Sequence, residues 1–483
     1  MLVKAAAQTL AEQLAERFAD RIRSRLLAPG TRLPSVRQCA QQQGVSPSTV
    51  VAAYDRLLAM GLVEAQKNRG FYIRNQAIAL VNKAQAAIES IASIGSSRLS
   101  SGTSTVSHVP VDAAALIRGM FHDPGGRPQP GMGAFPSDWL ESNFMSAAVR
   151  RFCAGAELKA LSLHYGEPAG DLGLRQAVSS RLNALGITTT PQHIITTLGA
   201  THALDVVSRT LLRAGDFVMV EEPGWAVEFA RLDAMGMRIL PVPRGPDGPD
   251  LAVMARYCEL HRPKLFVSVS VFHNPTGYCL SPASAHRLLQ LAHQHDFDVV
   301  EDDTYSHLAS DHSIRLCALD GLQRSIYVSG FAKILAPGWR VGYLAAPGRL
   351  VERLLDTKLL GTLTTPALFE KALAWCINQG QLRRHAQQLR TRLDQARGRS
   401  VALALGAGCT FAAPPAGLFG WVDTGVDTDA LAQRMLDKGY LLAPGALFHA
   451  NHAPSTLMRI NFCTTQEAQF WQVFAAVRAE MNR

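Results

Sequence analysis

Residues 325–343 read SIYVSGFAKILAPGWRVGY, and this stretch decides the fold of the larger part of the chain. Its first six residues are rich in β-branched and aromatic side chains, which predicts a strand. Lys333 follows that run in a turn of small side chains, and Arg340 precedes a second apolar run. Because a lone lysine after a strand is ordinarily a solvated surface charge, its meaning depends on what the neighbouring strands carry.

Short β-branched runs alternate with helical stretches from residue 112 onward. The alternation predicts an α/β fold with a mostly parallel sheet that helices cover. Ligands of such sheets bind beyond the carboxyl ends of the strands. The predicted strands are HIITTL, DFVMVEE, KLFVSVS, FDVVEDD, SIYVSG and RVGYLAA.

The side chains at these strand ends together supply what pyridoxal phosphate chemistry requires. Lys333 is the amine for a Schiff base, Asp302 the carboxylate for the pyridine nitrogen, and Asn274 the donor to O3′. Trp225 is the ring that stacks on the cofactor. The predicted phosphate ligands are the helix start at Ala200 and the side chains of Thr201, Ser329 and Arg340. Each residue alone has a purely structural explanation, but five of them in order at successive strand ends favour a cofactor site.

Residues 115–483 resemble the fold-type I pyridoxal phosphate enzymes of the aspartate aminotransferase family. The matching motifs are YGEPAGDLGLR, GATHALD, EEPGW, HNPTG, EDDTY, SGFAKILAPGWRVGY and RINF. The resemblance implies a mostly parallel large domain and a smaller α/β domain. It also implies that Lys333 holds the cofactor covalently and that Tyr305 joins Asn274 at O3′. In this family Tyr165 would reach the phosphate of a neighbouring subunit, and Arg459 would grip a substrate α-carboxylate.

Two positions depart from the family pattern. Gly330 stands three residues before Lys333, where many relatives have serine. Tyr305 follows Asp302 by three residues, whereas several fused regulators place that tyrosine where Thr304 stands. We still expect the cofactor to bind, with altered contacts at these two positions.

The first 75 residues carry a separate signal. They contain eleven lysines and arginines against five acidic residues, whereas the remaining 408 residues are nearly balanced, with 37 against 34. A small basic domain before a near-neutral body predicts a head that binds a polyanion.

The head has the pattern of a winged helix-turn-helix. Thr9 and Glu12 form a capping box before an amphipathic helix, and Ser35 caps a second helix that ends at Gly44. Ser46 caps a third helix with Pro47 at its first position. Two short strands, LVEAQ and GFYIR, follow around a polar turn. Such a head lays one helix in the major groove, although a protein-binding or dimerisation module has the same pattern.

Residues 10–75 resemble the DNA-binding domain of GntR-type bacterial regulators. The resemblance implies that Arg37 and the start of the third helix read an operator in double-stranded DNA. Several relatives have arginine where Pro47 stands, so this sequence lacks one arginine contact of the family pattern. The residues expected at DNA are Arg32, Arg37, Ser46, Ser48, Thr49, Lys67 and Arg69.

The order of the parts resembles MocR-type transcriptional regulators. The predicted domains are a head at residues 1–75, a linker at 76–111 and an aminotransferase-like body at 112–483. The resemblance implies that pyridoxal phosphate, alone or joined to an amino compound, is the sensed group and that subunits pair head to tail.

Two other functions stay open from the sequence. All groups for transamination are present, so the chain could be an active aminotransferase with an accessory head. A body that senses without cofactor is disfavoured by the intact Lys333, Asp302 and Asn274.

Composition excludes several classes. The chain is 47% hydrophobic and 18% charged, which excludes global disorder. No apolar run is long enough to span a membrane, and no signal peptide is recognised, so a cytoplasmic protein is expected. The eight cysteines are scattered without a C-x-x-C pair, which predicts reduced thiols and no metal site.

Overall fold

The computed structural model describes residues 8–23, 27, 32–66, 70–74, 129–153 and 155–482. The chain divides into two compact units, Met1–Gly126 and Arg127–Arg483. The predicted linker at residues 76–111 lies outside the described residues, as do Lys67 and Arg69. The predicted domain boundaries therefore stay predictions.

The N-terminal unit contains three helices followed by a hairpin. The elements are α1 (Leu10–Arg23), α2 (Val36–Gln43), α3 (Pro47–Ala59), β1 (Val63–Gln66) and β2 (Gly70–Ile73). The two strands pair antiparallel, as a wing after α3 requires. The fold predicted for the head is confirmed.

The helix starts follow the capping signals in the sequence. The backbone N–H of Thr9 donates to Glu12 Oε2 at 2.7 Å, and the backbone N–H of Glu12 donates to Thr9 Oγ1 at 3.2 Å. Ser46 Oγ accepts from the backbone N–H of Thr49 at 3.2 Å. Gly44 ends α2 with a φ of 64°, which is the left-handed conformation that glycine adopts without strain. Gly44 and Ser46 thus set the turn between α2 and α3.

Tyr54 lies at the centre of the head's core, and its loss tests how the head is held together. The ring has no exposed surface, packs edge-on against Phe18 and Phe71, and its hydroxyl donates to the Pro34 carbonyl at 2.8 Å. Tyr54→Ala leaves a cavity, so we expect the head to lose about 3 kcal/mol of unfolding free energy. Denaturant unfolding followed by circular dichroism measures the loss. Tyr54→Phe is the control and should lose about 1 kcal/mol. Equal stability of the two variants would contradict a central role of the Tyr54 ring in the head's core.

A seven-stranded sheet forms the centre of the second unit. Its order is β3-β9-β8-β7-β6-β4-β5, and only β9 runs against the others. The strands are β3 (Ile194–Thr197), β4 (Phe217–Glu222), β5 (Arg238–Pro243), β6 (Leu265–Ser268), β7 (Asp298–Asp302), β8 (Ser325–Gly330) and β9 (Gly342–Ala345). The predicted mostly parallel sheet is confirmed.

Helices cover both faces of this sheet. Val218 and Val220 of β4 enter one hydrophobic core, and Met219 between them enters the other, because successive side chains of a strand point to opposite faces. The helices of the unit are Ser137–Leu140, Asn143–Phe152, Gly155–Leu163, Leu172–Ala184, Ala200–Leu211, Ala226–Ala234, Leu251–His261, Pro282–His295, Leu316–Asp320, Gly348–Thr362, Ala367–Asn378, Gln381–Gly406, Thr428–Asp437 and Ala468–Met481. Short 3₁₀ turns occur at Pro191–His193, Ser306–Leu308, Pro337–Trp339 and Gly445–Phe448.

A smaller sheet completes the unit, in agreement with the smaller α/β domain that the resemblance implies. Its four strands are antiparallel in the order β10-β11-β13-β12. They are β10 (Thr410–Phe411), β11 (Phe419–Asp423), β12 (Ala443–Pro444) and β13 (Leu457–Asn461). Arg459 and Asn461 both belong to β13, so this sheet brings the RINF motif to the site.

The sequence did not predict strand β5. Its segment, RILPVP, contains Pro241 and Pro243, which argue against a central strand because proline cannot donate to a ladder. The structure places β5 at the edge of the large sheet, where it pairs only with β4. Proline is tolerated at such an edge.

Candidate functional site

Five strands of the large sheet end at the same edge and bring the predicted residues there. Strands β4, β6, β7 and β8 are parallel, and β3 has the same direction because both β3 and β8 pair antiparallel with β9. The residues that follow or end these strands are Thr201, Trp225, Asn274, Asp302 and Lys333.

Lys333 points its amine into the site. Nζ donates to the Gly133 carbonyl at 2.5 Å and lies 6.0 Å from the centre of the Tyr305 ring. Burial and the nearby Arg459 lower the pKa of Lys333 to about 8, against the opposing attraction of Asp302. The amine therefore loses its proton far more readily than a surface lysine.

The lowered pKa of Lys333 predicts a pH profile for attack on an aldehyde. Only the neutral amine is a nucleophile, so the rate should rise with pH and level off above pH about 8. The measurement is the rate at which cofactor-free protein takes up pyridoxal phosphate, followed by absorbance from pH 6 to 10. A rate that keeps rising to pH 10, as for a free lysine side chain, would contradict the lowered pKa.

Asp302 is the last residue of β7, and Thr304 holds its carboxylate. Asp302 Oδ1 accepts from the Thr304 backbone N–H at 3.1 Å and also from the Thr304 hydroxyl. Burial raises the pKa of Asp302 to about 6, and the Thr304 hydrogen bonds oppose that rise. Thr304 thus has a defined contact at the position where this sequence departs from several fused regulators.

Arg459 connects the two sheets across the site. Nη1 donates to Asn274 Oδ1 at 2.9 Å, and Nη2 donates to the Gly131 carbonyl at 2.6 Å. The guanidinium carbon lies 4.4 Å from the centre of the Phe419 ring, on which Tyr305 also packs edge-on. Burial lowers the pKa of Arg459 to about 10, and Arg459 Nε has no hydrogen-bond partner among the described residues. A buried cation with a free donor suits an incoming carboxylate.

Arg340 and a helix N-terminus form the part of the site that suits a phosphate. Arg340 Nη2 donates to the Leu198 carbonyl at 2.8 Å, beside the start of helix Ala200–Leu211. Gly199 has a φ of 85°, a backbone conformation that favours glycine, and an added Cβ would lie 2.8 Å from Arg340 Nη2 and displace that group. Thr201 lies exposed in the first turn of the helix, and Ala200 is partly buried. Free N–H groups beside an arginine form an anion-binding arrangement.

Three predicted residues lie apart from these contacts. Trp225 follows β4 and is partly buried against the core of the large sheet. Tyr165 is 83% exposed, as a residue that contacts a second subunit would be in one chain alone. Ser329 has no exposed surface, and its hydroxyl donates to the Asp303 carbonyl at 2.8 Å. We therefore withdraw Ser329 from the expected phosphate ligands, because its hydroxyl is held inside the sheet.

In the head, the described candidate residues are mostly on the surface. Ser46 Oγ lies 2.8 Å from both Ser48 Oγ and Thr49 Oγ1 at the start of α3. Arg37 is exposed on α2. Arg32 is exposed beside the hairpin, where its backbone forms an isolated antiparallel β-bridge with Tyr72. Ser46, Ser48 and Thr49 thus form a polar cluster at the N-terminal end of α3, while Arg32 and Arg37 are exposed cations on other segments of the head.

Sequence reasoning missed the residues that hold Arg459 and Lys333. Phe419 and Phe448 pack on the Arg459 guanidinium, and the carbonyls of Gly131 and Gly133 accept from the two cations. The two carbonyl contacts join segments 200 and 328 residues apart, whereas both rings lie within the same C-terminal segment as Arg459. Every residue has a backbone carbonyl, so a sequence does not show which carbonyls accept hydrogen bonds. The closely spaced glycines in GMG are the one sequence signal that this segment approaches the site.

Within the described part of the chain there is no cluster of three metal-ligating side chains. No helix there is long and apolar enough to cross a membrane.

Two family profiles match the chain. Aminotransferase class I and II matches residues 141–476, and the gntR family of bacterial regulatory proteins matches residues 10–73. The HTH-type transcriptional regulator YisV of Bacillus subtilis is 25% identical over 90% of this chain and 89% of its own length. The probable rhizopine catabolism regulatory protein MocR of Rhizobium meliloti is 30% identical over 74% of this chain and 70% of its own length.

Solved structures agree on the fold of the body. The α-aminoadipate aminotransferase LysN of Thermus thermophilus, complexed with N-(5′-phosphopyridoxyl)-L-leucine, superposes with a TM-score of 0.69. The two chains are 23% identical, and the match covers 76% of this chain and 95% of LysN.

Fold and site thus define a fusion of a winged helix-turn-helix with a fold-type I aminotransferase body. The chain belongs to the aminotransferase class I and II family, in the MocR-type group that carries a GntR-type head.

Proposed function

We propose that the chain is a DNA-binding transcriptional regulator whose body senses pyridoxal phosphate or its adduct with an amino compound. One observation carries the proposal: a GntR-type head precedes a body that gathers a lysine, an aspartate and an arginine at one edge of its large sheet, with a second arginine from the small sheet beside them. Regulators such as YisV match almost the whole length of the chain, head included.

The donor set fits the cofactor. Lys333 is the amine that would bond its aldehyde carbon, and Asp302 would face its pyridine nitrogen. The pKa of Lys333 at about 8 suits a nucleophile. When bound, the cofactor supplies an aldehyde that captures amines reversibly and a ring that withdraws electrons.

The remaining residues would orient the cofactor and its amine. Asn274 and Tyr305 would lie at O3′, and Trp225 would stack on the ring. The phosphate would rest on the N–H groups at Ala200 and Thr201 and on Arg340.

Arg459 would select amines that carry a carboxylate. Its Nε is buried without a partner among the described residues, and its Nη atoms contact only neutral oxygens. A carboxylate would supply the missing opposite charge in a bidentate pair.

On the DNA side, Arg37 would read the major groove together with Ser46, Ser48 and Thr49 at the start of α3. Arg32 and the predicted hairpin residues Lys67 and Arg69 would contact phosphate or the minor groove.

We further infer a head-to-tail homodimer in the cytoplasm. The exposed Tyr165 supports it, because this ring would complete the phosphate site of the neighbouring subunit. Covering a tyrosine that is 83% exposed also removes apolar surface from water.

A second function has support from the site itself. Lys333, Asp302 and Arg459 are the groups that transamination needs, so an active aminotransferase with an accessory head is the alternative.

One experiment separates the two functions. DNA bound by the full chain is mapped across the genome, in cells that are replete in the vitamin precursor of pyridoxal phosphate or starved of it. Transcripts are then compared between cells with and without the gene. A regulator should occupy a few promoters and change their transcripts. Turnover of amino acids at ordinary enzyme rates, with no promoter occupied and no transcript changed, would identify an enzyme.

A further inference from the structure

Residues 129–135, QPGMGAF, form a strap across the site, and two of its carbonyls are bonded to the two cations that a ligand would use. Arg459 Nη2 donates to the Gly131 carbonyl at 2.6 Å, and Lys333 Nζ donates to the Gly133 carbonyl at 2.5 Å. A ligand carboxylate that binds the Arg459 guanidinium, or an aldehyde that bonds to Lys333 Nζ, would compete with these carbonyls.

The alternate carbonyls of the strap have a different donor. Asn461 Nδ2 donates to the Met132 carbonyl at 2.9 Å and to the Ala134 carbonyl at 2.7 Å. The Asn461 backbone N–H donates to the Pro130 carbonyl at 3.0 Å. Asn461 is fully buried on β13 and takes part in no proposed ligand contact. Its amide therefore holds the strap independently of whether the site is loaded.

We propose that Asn461 is a positioning residue that keeps the strap across the site, where the strap's Gly131 and Gly133 carbonyls compete with ligands for Arg459 and Lys333. Loading the site frees these carbonyls and loosens the strap at the place where the chain continues toward the linker and the head. This inference rests on the proposed function, because it describes how the strap responds when a ligand binds at the proposed sensor site.

The physical argument is one of hydrogen-bond exchange. In the unloaded site four successive carbonyls, from Gly131 to Ala134, each have a donor. Loading removes two of the four donors, and a buried carbonyl without a donor is unfavourable. The strap then gains freedom or shifts.

The test is hydrogen–deuterium exchange of the full-length protein, read on peptides that contain the strap. The probes are N-(5′-phosphopyridoxyl)-L-leucine and the matching adduct of isoamylamine, which lacks only the carboxylate. The leucine adduct should raise exchange roughly fivefold over the isoamylamine adduct, the factor that loss of one ordinary hydrogen bond gives. Equal or slower exchange with the leucine adduct would overturn the proposal.

A variant tests the role of Asn461 itself. Asn461→Asp removes the Nδ2 donors at nearly constant shape, so unloaded protein should already exchange fast at the strap, and the two adducts should no longer differ. Asn451→Asp makes the same change in an exposed loop and should behave as wild type. Wild-type exchange in Asn461→Asp would refute the positioning role, and if that variant does not fold, the adduct pair in wild type decides alone.

The outcomes also separate this inference from the proposed function. If neither adduct binds, as judged by their absorbance on the purified protein, the sensor function fails. If the adducts bind and alter DNA affinity while strap exchange stays constant, only the strap proposal fails.

Discussion

Lys333→Ala is expected to abolish the near-visible absorbance of bound pyridoxal phosphate and to weaken cofactor retention by roughly two orders of magnitude, equivalent to about 2.7 kcal/mol. The effect is large because Lys333 is the only one of the gathered side chains whose amine can bond the aldehyde. Its replacement leaves contacts to phosphate and ring alone. Absorbance of the purified protein and the cofactor remaining after gel filtration measure the loss.

Lys371→Ala is the matched control for Lys333→Ala. Lys371 lies on helix Ala367–Asn378, where its Nζ is 3.7 Å from Asp171 and 4.0 Å from Glu157, on the surface. It removes the same charge without touching the site, so absorbance and retention should equal those of wild type. Retained absorbance in Lys333→Ala would show that the cofactor is not held there.

Arg37→Ala should weaken binding to operator DNA about 10- to 100-fold, the range for losing one bidentate contact to a base. Arg37 is exposed on α2, the helix that precedes the Gly44 turn, so its guanidinium is open to contact with DNA. Fluorescence anisotropy with the chain's own upstream DNA, at fixed salt, measures the affinity.

Arg56→Ala controls for the loss of one positive charge from the head. Arg56 Nη2 is paired with Glu12 Oε1 at 2.6 Å on the surface, and an exposed pair contributes at most about 1 kcal/mol. DNA affinity should therefore fall much less than in Arg37→Ala. If both variants lose affinity equally, the head contributes only non-specific charge.

The sequence predicted those parts of the structure that depend on local chemistry. The caps at Thr9 and Ser46 follow from side chains that accept hydrogen bonds from nearby backbone N–H groups. Asp302 and Lys333 could be placed because parallel strands end at one edge. The correction for Ser329 has the opposite origin: its hydroxyl donates to the carbonyl of Asp303, which directly follows β7, and a contact between two separate segments is not visible in the sequence.

The contacts around Arg459 could not be predicted for a similar reason. Phe419, Phe448 and the strap reach the guanidinium from three separate segments, and their register is fixed only when the small sheet packs against the large one. Strand β5 was not predicted because its two prolines are typical of a loop. They are tolerated in this strand because it lies at the edge of the sheet.

The most direct test of a cofactor-sensing regulator is the affinity of the full-length protein for its upstream DNA as pyridoxal phosphate is titrated. Differential binding is required, because a ligand shifts an equilibrium only by its different affinity for the two states. We predict that DNA affinity changes with cofactor in wild type and does not change in Lys333→Ala. An affinity that is the same at every cofactor concentration in both proteins would contradict the central claim.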